Sequence, residues 1–144
     1  SRSIDLHETS MNRHGEKAVA GVTGGLIGLG ETVTWEARHF GVRQRLTTRI
    51  TAFERPEHFR DSMTEGIFAR FDHDHFFAET PGGGGGGGET LMTDVFDYTA
   101  PLRVLGKIAD RLFLEKYMTR LLTDRNLLIK RIAESTAEWQ KFLV

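Results

Sequence analysis

The 144 residues carry 19 Lys and Arg against 20 Asp and Glu, a formal charge of −1, with six His and no Cys. That length suits one domain with its own core, and the missing thiols exclude disulfides, zinc–thiolate sites and cysteine nucleophiles. The near-zero charge speaks against broad electrostatic binding of nucleic acid, and no run approaches the ~20 apolar residues of a transmembrane segment.

Taken in chain order, the opening Ser1 to Asp5 has no apolar signal segment, so a cytoplasmic location is expected. Residues 18–22 read as a weak strand, ended by a Gly-rich segment over 23–30 whose spacing fits no nucleotide fingerprint. Residues 32–40 are rich in β-branched and aromatic side chains and predict a strand. Phe40-Gly41-Val42 gives a tight reversal into a second long strand over 43–53. Arg55-Pro56-Glu57 punctuates before a shorter strand over 58–63, and Gly66 precedes another over 68–78. The last strand covers 90–99, so about six strands, joined mostly by hairpins, predict an antiparallel meander.

Pro81 and the run Gly82 to Gly88 lie between the last two strands. They read as a mobile hairpin loop rather than a phosphate cradle, because a strand follows and no Lys-Ser/Thr does. From Leu102 onward the period changes. Leu105, Ile108, Leu112, Leu114, Met118, Leu121, Leu122, Leu128, Ile129 and Ile132 recur at helical steps. Arg111, Glu115, Lys116, Arg120, Arg125, Lys130 and Arg131 fall between them and read as a solvated face. Gly106 and the cluster Leu112-Phe113-Leu114 suggest a short helix or kink ahead of the main helix. An amphipathic helix of such length needs a broad surface, and the sheet is the candidate.

Period-two alternation sorts the strand residues by face. One face collects Trp35, His39, Leu46, Ile50, Phe59, Met63, Phe71, His73, His75, Met92, Asp94, Phe96 and Tyr98, with Asp61 in line with Phe59. With Met118 and Leu122 from the helix, these are the candidate ligand-binding residues. Apolar walls with a few polar groups (His39, Asp61, His73, His75, Asp94) are the make-up of a small-molecule pocket. The alternative is a core whose polar members satisfy one another, Asp94 accepting from His73 or His75. His73, His75 and Asp94 are also the candidate catalytic groups, since imidazoles titrate near neutral pH. His73 and His75 share a face and would form a two-His, one-carboxylate set with Asp94. Strand His pairs more often serve hydrogen bonding, so neither a metal nor a cofactor is expected.

The run from Glu31 through Trp35 and His39 to Ile50 resembles bacterial SRPBCC-family proteins. So do Pro56 to Phe59, Gly66 to Phe68, His73 to Phe76, Thr90 to Asp94 and Tyr98 to Asp110. The superfamily includes START-type lipid-binding domains, pollen-allergen-like proteins and polyketide cyclases. The resemblance implies an α+β helix-grip fold: a curved antiparallel sheet wrapped around a long C-terminal helix, with an internal cavity. It implies a single domain over residues 1–144. Family members begin with a strand and a short helix ahead of the segment that looks like Ser3 to His7, and that opening is absent here. The resemblance favours a binding module holding a lipid, isoprenoid or polyketide-like molecule, as a monomer or homodimer. A cyclase/dehydratase that moves protons through cavity imidazoles is one alternative, and a non-catalytic interaction protein with a side-chain-filled cavity is another.

Overall fold

The computed structural model describes residues 2–12, 15–39, 41–81, 88–100, 113–135 and 137–142. Six strands pair antiparallel in sequence order: β1 (Lys17–Gly21), β2 (Thr32–His39), β3 (Val42–Glu54), β4 (His58–Glu65), β5 (Arg70–Thr80) and β6 (Glu89–Thr99). Hairpin registers such as His39↔Val42 and Thr80↔Glu89 tie neighbours together. Gly41 takes φ +78 in the first reversal, the left-handed conformation that such short loops demand. Each long strand is covered on one face. In β6, Met92, Asp94, Phe96 and Tyr98 are half-buried while the residues between them are exposed. In β3, the outward Arg43, Arg45, Arg49 and Thr51 are solvated, and Thr48 and Ile50 are buried.

The chain opens on a short helix that the sequence reading does not place, α1 (Ile4–Ser10). Ser3 caps it by accepting from the Leu6 amide, and Asp5 stands in the first turn, where the helix dipole favours an anion. α1 is anchored to the Gly-rich segment by Ile4 N–H to the Gly25 carbonyl and by Ile27 N–H to the Arg2 carbonyl. Its apolar residues diverge. Ile4 joins Ile27, Val33, Trp35, Ile50 and Phe59 on the sheet, while Leu6 packs with Ile129 and Ile132 of the C-terminal helix. A short element thus links two apolar clusters.

The expected helix-grip arrangement is corrected. Among the described residues, the molecule is mainly a six-stranded antiparallel sheet with two helices, α1 of seven residues and α2 (Glu115–Ala133) of 19, followed by a 3-10 turn at Glu138–Phe142. Those residues show no long C-terminal helix wrapped by a curved sheet. A gripped helix must be apolar over a broad arc, whereas α2 buries only Leu121, Arg125, Ile129 and Ile132, a single stripe. Leu127, Asp124, Lys130 and Arg131 are exposed. The part of the helical pattern expected over 102–112, the kink near Gly106, the last strand residue Phe40 and the glycines 82–87 lie outside the described residues. Among the described residues, no helix is long and apolar enough to cross a membrane.

Gly21 closes β1 at φ +73, and a Cβ there would collide with the Thr32 carbonyl. Both the conformation and the contact are backbone constraints that cannot relax through a side chain. Gly21→Ala is therefore expected to cost about 2–3 kcal/mol, seen as a fall of several degrees in thermal unfolding.

Candidate functional site

Strand register gathers the polar residues. On β4 and β5, Asp61 lies opposite His73 and Phe59 opposite His75. On β5 and β6, His75 lies opposite Asp94 and His73 opposite Phe96. Cross-strand neighbours on one face have Cβ atoms about 5 Å apart, so two carboxylates and two imidazoles must meet. His75 Nδ1 is 2.6 Å from Asp94 Oδ1, and its Nε2 is 3.2 Å from Asp61 Oδ1. Phe59 stacks on the His75 ring at a centroid distance of 4.2 Å. His73 sits 3.8 Å from both carboxylates, outside hydrogen-bond reach. From α2, Arg125 Nη1 donates to Asp94 Oδ2 at 3.2 Å. Among the described residues, three buried side-chain atoms have no hydrogen-bond partner: His73 Nε2, Arg125 Nε and Asn126 Oδ1.

Charge follows from these neighbours. Burial opposes ionisation of Asp94, but the His73 and His75 imidazoles that face it and the charge of Arg125 outweigh it and hold its carboxyl far below the usual range. Asp61 is likewise opposed by burial, yet His75, His73 and Arg125 lower it to about 2. Burial, opposed by the carboxylates, pushes the His73 imidazole below its ordinary value.

A second polar group stands nearer α1. His7 is hydrogen-bonded to Glu16 and stacks on Trp35 at 4.0 Å. His39 Nδ1 meets the Tyr117 hydroxyl of α2 at 2.6 Å. Burial opposes ionisation of Glu16, but the His7 imidazole outweighs it and holds the carboxyl below its ordinary value.

Between the two groups lies a cavity of about 130 Å³. Of the residues expected at a binding site, Trp35, His39, Leu46, Asp61, Phe71, His73, Phe96, Met118 and Leu122 line it. Asp94 and Tyr98 border an adjoining recess that also touches Phe96, Met118 and Leu122. Ile50, Phe59 and His75 lie behind, around a void of about 50 Å³ shared with Asp61, His73 and Arg125. Met63 and Met92 line none of the three; Met92 packs instead against the Leu6, Ile129 and Ile132 cluster.

No protein-family model matches the chain, and no curated protein matches it. Among solved structures it is similar to the crystal structure of TTHA0849 from Thermus thermophilus. The TM-score is 0.57 at 18% identity, over 93% of this chain and 90% of that one. At that identity the likeness is one of fold alone, and fold does not carry function.

Several lining residues escape sequence reasoning, among them His7, Glu16, Phe68, Tyr117 and Arg125. Arg125 is a correction: expected on the solvated face, it is buried, 3% exposed. Its position holds the signal, since it stands four residues after Leu121 and four before Ile129, on the apolar stripe. His7 and Glu16 sit in segments too short to show a period.

Removing one partner of a buried ion pair leaves the other charge unanswered. Arg125→Ala is thus expected to cost about 3–5 kcal/mol, measured by denaturant unfolding. The folded Glu16 carboxyl is held below its ordinary value, so its contribution is fully present above that ordinary value and is lost as pH falls through the folded one. Glu16→Gln is expected to flatten the acid limb of the thermal stability profile.

Proposed function

We propose that the chain binds a small, mostly apolar molecule with one polar end, held between the inner face of the sheet and α2. The wall of the cavity carries this reading. Trp35, Leu46, Phe71, Phe96, Met118 and Leu122 supply its apolar surface, and His73 and Arg125, each with a buried nitrogen that lacks a hydrogen-bond partner among the described residues, stand in the same wall. Small-molecule sites combine apolar walls with a few orienting polar groups in this way. A carbonyl, hydroxyl or carboxylate oxygen on the ligand would satisfy groups that are costly to leave unpaired.

Size narrows the class. At about 130 Å³ the space is close to an engineered cavity of about 150 Å³ that holds benzene. One isoprenoid unit or one aromatic ring fits this space, and a longer chain would need the adjoining recess of about 350 Å³ as well. Kinship with the SRPBCC proteins, a cytoplasmic setting and a monomeric or homodimeric state belong to the same proposal. The kinship rests on the motifs between Glu31 and Asp110.

The open cavity favours binding over a side-chain-filled interaction domain. It is also favoured over a cyclase or dehydratase, because His75, which has a carboxylate on each ring nitrogen, lies outside the cavity lining.

Ala37 lines the cavity and is buried, so Ala37→Phe drives a ring into the space. Native mass spectrometry with lipid and isoprenoid extracts is expected to show a bound species that this variant binds at least ten-fold more weakly. No adduct from any extract would sink the proposal.

A further inference from the structure

Asp94 fixes the proton on His75. An ionised carboxylate only accepts, so Nδ1 must donate across the 2.6 Å contact to Asp94 Oδ1. The other nitrogen, Nε2, faces Asp61 Oδ1 at 3.2 Å, a separation that either a ring proton or a shared metal ion can bridge. His73 repeats the layout at longer range: Nε2 points to Asp94 Oδ2 and Nδ1 to Asp61 Oδ1, each at 3.8 Å. One carboxylate therefore stands behind both rings and the other in front.

We propose that Asp61 Oδ1, His73 Nδ1 and His75 Nε2 hold a divalent first-row transition ion, with Asp94 as the carboxylate that orients both imidazoles. Ligand atoms from the three residues lie within 4.8 Å of one another. Two ligands about 2.1 Å from a tetrahedral ion are about 3.4 Å apart, and the separations of 3.2 and 3.8 Å from Asp61 bracket that value. A carboxylate behind a metal-binding imidazole is the usual device for setting its tautomer and direction. Two nitrogens and one oxygen suit zinc or iron(II), whereas magnesium and calcium prefer oxygen alone.

The two carboxylates are not equivalent. Asp94 has Arg125, while Asp61 has no Lys or Arg within ion-pair distance among the described residues. Three protein ligands leave a further coordination position. Asp61 and His73 both line the cavity of about 130 Å³, so that position lies on the side where a ligand oxygen would arrive. This revises the expectation that no metal is bound. It stands apart from the apolar-ligand reading, and its test uses metal alone.

The full chain, stripped with chelator, is titrated with Zn²⁺ by calorimetry and with Co²⁺ by visible absorption. One equivalent of Zn²⁺ is expected, with a rise in thermal midpoint, and Co²⁺ is expected to give the intense bands of a low-coordinate nitrogen–oxygen site. Asp61→Asn and His73→Gln are each expected to weaken Zn²⁺ at least ten-fold with unchanged circular dichroism. Asp94→Asn is expected to weaken it about 10–100-fold. His58→Gln, which alters the Asp74 pair on the opposite face, should bind as the unaltered chain does. No Zn²⁺ binding up to millimolar concentration, or binding that survives in both Asp61→Asn and His73→Gln, overturns the proposal. If those variants fail to fold, the unaltered chain still decides: a Co²⁺ spectrum identical to the hexaaqua ion overturns it.

Discussion

A carboxylate taken out of water must be answered where it lies. Asp94 has a side chain 4% exposed, and it is answered from two directions: His75 on β5 and Arg125 on α2. The partner on β5 is supplied by strand register and would exist in the sheet alone. The partner on α2 is not, so the position of the helix is bound to a single residue of β6. Above that contact Tyr117 meets His39, and at the far end Ile129 and Ile132 meet Leu6 of α1. A helix with one narrow buried stripe has few ways to specify its seat by shape. A buried ion pair supplies direction where apolar contact alone would tolerate sliding.

The stripe also shows why periodicity in the C-terminal third misleads about architecture. Leu114, Met118, Leu121, Leu122, Leu128, Ile129 and Ile132 do recur at helical spacing, and a helix forms over them. Periodicity reports one apolar face but not how far the partner surface curves around it. Leu127 is 59% exposed although it is apolar, and Arg125 is buried although it is charged. Residue type points the wrong way at both positions, while spacing points the right way at Arg125. The strands are easier to read because a two-residue period fixes the facing of every side chain once one is known. His73, His75 and Asp94 could therefore be placed on one face, yet not matched to partners. The pairing of Asp61 with His73 depends on the length of the β4–β5 connection, which alternation does not encode. α1 is absent from the sequence reading because seven residues cannot display a period. Its signal is local: Ser3 as cap and Asp5 in the first turn.

Two polar groups share the inner face, and they differ in how completely they are satisfied. His7 with Glu16, and His39 with Tyr117, are close pairs. Around Asp94, by contrast, His73 Nε2, Arg125 Nε and Asn126 Oδ1 have no hydrogen-bond partner among the described residues. A fully satisfied polar network rigidifies a core, whereas a half-satisfied one is worse than apolar packing. Replacing a buried ion network with apolar residues of similar volume is often neutral or stabilising. Beyond the seating of α2 through Arg125, the cost at this place has no structural return that the sheet could not obtain with leucine and phenylalanine. It is concentrated where the cavity, the strand register and α2 converge. An oxygen or a cation arriving from outside would reach that place through Asp61 and His73, which belong both to the cavity wall and to the carboxylate–imidazole cluster.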